Sequence, residues 1–523
     1  MSSLLPLLPR YLLPALIGAA PAFAAALPPG LDPAQVLAVY PLPPEARPEQ
    51  LILLQGVEQA GRFAISEHTL PPARPAPEPP TPIPMPMPIG VNLLSAMSAR
   101  GFGVEERVTA ALLDGRLRID CRAGVRPAGV LLQGPWTMPR ADVVLQANFS
   151  GAGFALQVAD ARLAAREAAL DLGVLSAASK RFVLPPDFDR ASWRQWTLLC
   201  PAAGGTLVLD ALALAPAAAP SSRAPRSSWI WNAAEWRERG DALLDWAASE
   251  GLDELFITVP LADGAVAEPA ALAAMVRRAG ARGVAVTAVD GDPHMVLPEQ
   301  HGASAARARA YAAYNAAAEA AARLKSMQFD VEPYLLPDAL LEPAQRDRRY
   351  LELAAALRQA AGSMRLDFVV PFWWDAKPDL LRGLARHADG LVVMDYRTDP
   401  AQIMRFAAPF LDWGVEHGKR VRIALEAGPI APEQQRRYQR LEAGSKGDLL
   451  LVQQDGEQLL VLLRTPGTLP GAQAYGLAGS RTIDGSATTF HRDKAALTRI
   501  LPQLEQAFGA WNSFDGMALH ELR

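Results

Sequence analysis

Met327-Gln328-Phe329-Asp330-Val331-Glu332-Pro333-Tyr334 is a short apolar run that ends in two carboxylates two residues apart and is then stopped by proline. Alternation along a strand puts Asp330 and Glu332 on one face. Pro333 offers no N–H to a further ladder, so it ends the strand and turns the chain outward. Ala-rich amphipathic segments flank the run at 304–324 and 345–361. A strand between two helices is the unit of a parallel α/β sheet.

The same alternation extends over 227–523. Strands are expected at Ser228–Asn232, Glu254–Val259, Val284–Val289, Met327–Val331, Leu366–Phe372, Gly390–Asp395, Val421–Leu425 and Gly516–His520. Helices are expected at Gly240–Glu250, Pro269–Ala281, Ser304–Leu324, Gln345–Ala361, Pro378–Ala388, Asp399–His417 and Asp493–Gly509. Eight such units in about 300 residues match a (β/α)8 TIM barrel. Two apolar pieces, Asp448–Gln453 and Gln458–Leu463, joined through Asp455-Gly456, predict a β-hairpin inserted near 445–465, after strand seven.

Upstream the pattern differs. Residues 90–215 hold short apolar pieces between turn signals, among them Arg116–Cys121, Gly129–Gln133, Ala141–Asn148, Gly153–Val158 and Gly205–Leu214. That spacing predicts an all-β sandwich, and its order is similar to a carbohydrate-binding jelly roll. The sequence at 216–226 is an Ala/Pro/Ser linker. Residues 27–89 carry one strand-like piece, Gln50–Val57, and the tract Pro71–Pro88, which favours an extended spacer. Residues 1–26 have the layout of a signal peptide, with Arg10 before an apolar run and small residues for cleavage near Ala24 or Ala26. The mature chain is therefore expected in the bacterial periplasm or outside the cell, without a membrane span. The chain has two cysteines, Cys121 and Cys200, which form one disulfide or stay as two buried thiols.

The formal charge of −4 over 523 residues gives no broad basic surface, so no nucleic-acid partner is expected. The sequence has no Gly-x-Ser-x-Gly elbow, no phosphate-binding Gly-Lys-Ser/Thr loop and no His-Glu-x-x-His. No cofactor or metal is expected; Asp290, Asp292 and His294 share one loop without a distant partner, and sugar hydroxyls are the better match for them.

Barrel function gathers at the C-terminal strand ends. Strand four supplies Asp330 and Glu332, where like charge and burial raise a carboxyl's proton affinity as a general acid needs. Strand six supplies Asp395, Tyr396 and Arg397; strand seven, Glu426; strand eight, His520. Trp229 and Trp231 close strand one, and Trp373, Trp374 and Asp375 close strand five. Indoles at a barrel mouth suit sugar faces, although one of two adjacent Trp belongs to the core.

The Asp330-Val331-Glu332 end of strand four resembles the signature of glycoside hydrolase family 18, the chitinase-like barrels, and Met394-Asp395-Tyr396 is similar to that family's strand-six Met-x-Tyr. The resemblance implies Glu332 as general acid, Asp330 orienting a substrate N-acetyl group and Tyr396 bonding its carbonyl. Gln328 stands where the family has another Asp, Lys325-Ser326 where it has Asp-Gly, and Leu519-His520-Glu521 where it has a Trp floor. Carboxylates closing strands four and seven also look like the large retaining clan with an acid/base and a nucleophile there, which makes Glu426 the nucleophile. A retaining pair stands about 5–5.5 Å apart. The expected function is a glycoside hydrolase acting on an envelope or matrix polysaccharide. The alternative is a non-catalytic polysaccharide-binding or exopolysaccharide-assembly protein on a degenerate barrel, working with exopolysaccharide machinery.

Overall fold

The computed structural model describes residues 27–42, 51–59, 62–69, 85–103, 107–160, 169–177, 180–184, 193–218, 222–454 and 456–523. The expected signal peptide with its cleavage sites, the bulk of the Pro71–Pro88 tract and part of the 216–226 linker lie outside these residues.

Eight strands close a parallel barrel. They are β1 (Arg226–Ile230), β2 (Glu254–Thr258), β3 (Ala285–Asp290), β4 (Met327–Phe329), β5 (Leu366–Pro371), β6 (Gly390–Met394), β7 (Arg420–Glu426) and β8 (Phe514–His520). Closure is made by β8 pairing in parallel with both β7 and β1. Helices α1 (Ala233–Ser249), α2 (Pro269–Ala281), α3 (His301–Ala317), α4 (Pro343–Ala361), α5 (Pro378–Leu384), α6 (Pro400–His417) and α7 (Lys494–Phe508) lie between them. Among the boundaries that differ from the sequence expectation, three have a plain physical reason or consequence. Asn232 is the N-cap of α1, accepting from Ala234 N at 3.0 Å, so that helix starts at Ala233 and not at Gly240. α3 stops at Ala317, because Asn315 clasps both the N–H and the carbonyl of Leu324 and turns the chain back. β4 is only three residues long, so Asp330 and Glu332 sit just beyond the ladder and not on a strand face.

The N-terminal end of the barrel is closed by a buried charge network. Glu254 accepts from Arg422 (2.8 Å), Lys325 (2.7 Å) and Thr287 (2.6 Å). Arg422 also reaches Ser227 at 3.0 Å and Asp515 at 3.2 Å, and Arg365 bridges Asp367 (2.9 Å) and Asp515 (3.3 Å). Burial opposes the Glu254 charge, but Arg422 and Lys325 outweigh it and bring the carboxyl down to about 2. β6 contributes the space: a Cβ on Gly390 would meet Asp367 Oδ1 at 2.7 Å.

Residues 85–218 form two five-stranded sheets. One orders Arg181–Val183, Val143–Ser150, Gly205–Pro216, Arg116–Cys121 and Val108–Leu113; the other orders Leu170–Val174, Ala155–Asp160, Trp193–Leu199, Gly129–Gln133 and Ser98–Phe102. A Cys121–Cys200 disulfide, Cα to Cα 6.0 Å, ties the two sheets. Trp136 and Trp196 are buried, and among the described residues no aromatic side chain of the sandwich is exposed. The end of the proline-rich tract is no spacer: Met85–Pro86 pairs with Trp136–Thr137, and Met87 and Ile89 are fully buried. The sandwich meets the barrel at Asp412 of α6, whose Oδ1 accepts from Arg140 N and from Trp511 Nε1, both at 2.7 Å.

A separate unit combines the N-terminal segment with the insertion after β7. The expected hairpin is present as Gly447–Gln454 and Glu457–Gly467, but it is part of a seven-stranded sheet. Glu433–Arg440 and Gln473–Ile483 add two strands, and Val36–Pro41, Leu51–Gln59 and Arg62–Thr69 supply three more. Ile52, Leu54, Phe63, Tyr438, Leu449, Leu460, Leu462 and Tyr475 form its main core.

Two stability predictions arise here. Glu254→Gln removes the nearer and more deeply buried of the two counter-charges of Arg422 and leaves only Asp515, and urea unfolding should show a loss of about 3 kcal/mol; an unchanged midpoint would contradict the network's role. Burial pushes Asp412 up to about 6, against its two hydrogen bonds. The folded state then holds the proton longer than the unfolded chain, so this group's contribution to stability falls as pH rises from its ordinary value toward about 6. Asp412→Asn keeps an acceptor oxygen. Its melting temperature should exceed the parent's at neutral pH, and the two should converge under acid.

Candidate active site

The C-terminal strand ends present the opposite electrostatics. Gly291, just past β3, lets two strand ends close: a Cβ there would lie 2.0 Å from the Asp330 carbonyl oxygen. The Asp330 N–H donates to Asp290 O at 2.8 Å, which fixes the turn that carries both acids. Burial pushes Asp330 well above the usual carboxylate range, and the Glu332 charge adds to it while His520 opposes. Burial also raises Glu332, against a hydrogen bond from the Tyr334 hydroxyl and the influence of His520. Asp330 Oδ1 is buried and has no hydrogen-bond partner among the described residues.

Tyr396, His520 and Glu426 belong to the same cluster. The Tyr396 hydroxyl is held protonated by burial and by the charges of Glu426, Asp330, Glu332 and Glu521. Its ring lies 6.0 Å from that of His520, at 28°. Both oxygens of Glu426 are engaged. Oε1 accepts from Gly428 N at 2.6 Å and Oε2 pairs with His520 Nδ1 at 2.8 Å. Its side-chain partner is the histidine directly opposite in the β7–β8 register. On its other side, His520 Nε2 lies 3.1 Å from the indole nitrogen of Trp231.

The remaining sequence candidates are placed differently. Trp229 is buried and donates its indole N–H to Gln328 Oε1 at 2.7 Å. Trp374 is core, edge-on to Tyr350 at 4.8 Å, whereas Trp373 stands edge-on to Tyr334 at 5.1 Å and so lies beside Glu332's partner. Asp290 is occupied by Arg307 (2.5 Å) and Tyr311 (2.7 Å). Asp292 is an exposed cap for His294 N. Asp395 is fully buried, with both carboxyl oxygens unpartnered among the described residues, and burial drives it well above its ordinary value. Arg397 lies over the Phe372 ring at 4.5 Å. Asp375 is also raised by burial, against a backbone bond from Ala376. Sequence reasoning missed Tyr334 as the partner of Glu332. The signal was in plain view, since Tyr334 follows Glu332 by two residues in the opening stretch. It also missed Glu521, which adds its charge to the cluster.

The arrangement offers a proton donor at Glu332, a neighbouring acid with a free buried oxygen at Asp330, and a neutral hydroxyl at Tyr396. Among the described residues no helix is long and apolar enough to cross a membrane.

No protein-family model matches the chain, and no curated protein matches it. Among solved structures it is similar to the C-terminal domain of a putative chitinase from Desulfitobacterium hafniense, at 10% identity over 57% of this chain and 93% of that one, TM-score 0.33. Catalytic domain 2 of the Ostrinia furnacalis Group II chitinase gives 11% identity, 57% and 89% coverage and a TM-score of 0.30. The spore cortex-lytic enzyme SleL of Bacillus megaterium gives 10% identity, 60% and 73% coverage and a TM-score of 0.31.

Proposed function

We propose that the chain is an exported glycoside hydrolase that cleaves a bacterial envelope or matrix polysaccharide with retention, using Glu332 as general acid and base. The observation that carries this reading is the Asp330–Glu332 pair at the mouth of a parallel barrel, both raised by burial, with Tyr334 donating to Glu332. A carboxyl whose proton affinity is raised is the better suited to give its proton to a departing glycosidic oxygen.

The engagement of both Glu426 oxygens favours a substrate-assisted path over a Glu332–Glu426 pair. A nucleophile needs a carboxylate oxygen free to attack the anomeric carbon. In the favoured path Glu332 protonates the leaving oxygen while the substrate's own acetamido oxygen attacks the anomeric carbon. Asp330 holds the acetamido N–H and Tyr396 its carbonyl. Glu332 then takes a proton from water, which opens the cyclic intermediate and restores the starting configuration. These roles follow from the resemblance to family 18. The sandwich supports the barrel in this reading, because its tryptophans with described side chains are buried.

A second reading, a polysaccharide-binding or assembly protein on a barrel that has lost its chemistry, is favoured by two departures. Lys325 serves Glu254 at the far end of the barrel, and Gln328 is held by Trp229.

Glu332→Gln should lower hydrolysis of any cleaved polymer at least about 10²-fold without changing the fold; parental turnover by that variant would refute the assignment, and binding without turnover by the parent would select the second reading. Asp330→Asn should melt higher than the parent at neutral pH, by about 1 kcal/mol in stability, because it removes an uncompensated buried acid. The gain should shrink as pH falls, since the parent's Asp330 is then protonated as well. Thermal melts across pH check it.

A further inference from the structure

Trp231, just past the C-terminal end of β1, is one of few large apolar side chains among the described residues left in solvent, 39% exposed. Its indole nitrogen is nevertheless not free. An indole only donates, so His520 Nε2, 3.1 Å away, must present a lone pair. The imidazole proton is then on Nδ1, where it is donated to Glu426 Oε2 at 2.8 Å. Glu426 is fixed in turn by Gly428 N at 2.6 Å. The chain Trp231 to His520 to Glu426 thus requires a neutral imidazole of one tautomer.

We propose that Glu426 and His520 are a positioning pair that locks the Trp231 indole as a stacking surface for a sugar ring, and that a second proton on His520 releases it. Protonated Nε2 would point an N–H at the indole N–H, and neither could accept. The groups facing His520 make that proton accessible: Glu426 from β7, Glu521 beside it in the chain, and Asp330 and Glu332 beyond β4 are all acidic, while Tyr396, Trp229 and Trp231 are uncharged. Burial opposes protonation of His520, and the Glu426 hydrogen bond and charge outweigh it. The stacking role rests on the glycosidase reading, whereas the hydrogen-bonded lock does not.

The test separates the two. Acrylamide quenching of tryptophan fluorescence is measured on the full chain and on Trp231→Phe, and the difference reports Trp231. It should be lowest at pH 8, where the indole is held but partly exposed, and grow on acidification through one transition. His520→Gln offers an amide oxygen to the indole and an N–H to Glu426, so the difference should stay at the parent's pH 8 level at every pH. His520→Leu should keep it large throughout. Glu426→Gln removes the charge that attracts the proton, so the transition should move to lower pH. A parent with no transition, or a transition surviving unchanged in His520→Gln, overturns the lock. With hexa-N-acetylchitohexaose as probe, His520→Leu should raise KM roughly 3- to 10-fold at pH 8, the worth of one hydrogen bond, with His520→Gln restoring it. An unchanged KM in His520→Leu overturns the stacking role. A parent that does not cleave the probe counts against the glycosidase reading, and quenching alone then decides the lock.

Discussion

The Glu254–Arg422 pair and its neighbours gather side chains from seven barrel strands or the residues just before them: Ser227, Glu254, Thr287, Ser326, Asp367, Arg422 and Asp515. Such a ring resists any strand slipping against the next, since a one-residue shift would point a charge into the helices. Breaking it is costly because Glu254 and Arg422 at its centre are buried and each charge depends on the others. With register held at that end, the opposite end is released from structural duty. Its carboxylates can then be left poorly compensated, which is what proton transfer requires. Glu254 is drawn down to about 2 by cations, and Asp330, in the same barrel, is pushed up by burial and a like charge. One scaffold thus sets carboxyl groups at opposite extremes by partner choice alone.

How much of this was legible depended on the distance over which the information is stored. Parallel β/α units are local, so the period of the Ala-rich helices and the apolar strands between them located all eight barrel strands to within a few residues. Pairing across hundreds of residues leaves no such trace. Leu51 is opposite Gln439, and Val36 is opposite Leu463. Each strand alone has the composition of a short edge piece, and the N-terminal segment therefore read as a mere prelude to a spacer. At the site, residue types at strand ends pointed to Glu332, Asp330, Tyr396, Glu426 and His520. Their division of labour was not legible, because it turns on which oxygen each carboxylate has left over. Asp290 and Glu426 look alike in sequence as acids ending strands, and both are occupied, one by Arg307 and Tyr311, the other by Gly428 and His520.

The departures of strand four from the family-18 pattern become intelligible on this basis. Lys325, where that pattern has an acid, faces the N-terminal ring and neutralises Glu254; an acid there would add a second negative charge to a buried carboxylate. Gln328, where the pattern has another Asp, is oriented by the Trp229 indole, which can only donate and so takes the amide oxygen. The amide nitrogen is left buried without a partner among the described residues, as is Asp330 Oδ1 two positions on. A neutral amide at 328 removes a like charge from beneath the pair, so Asp330 feels Glu332 and His520 and no third acid on its own strand. The proton affinity of the pair is thereby set by burial, by the two acids' mutual repulsion, by the Tyr334 hydrogen bond and by His520, not by a longer column of carboxylates. That gives His520 two duties in one position. It holds Trp231 through Nε2, and it lowers the proton affinity of both acids when charged. Acid conditions that unlock the aromatic surface also weaken the hold of Asp330 and Glu332 on their protons. In the proposed lock the exposure of Trp231 and the acid strength of the Asp330–Glu332 pair therefore change together, through one imidazole.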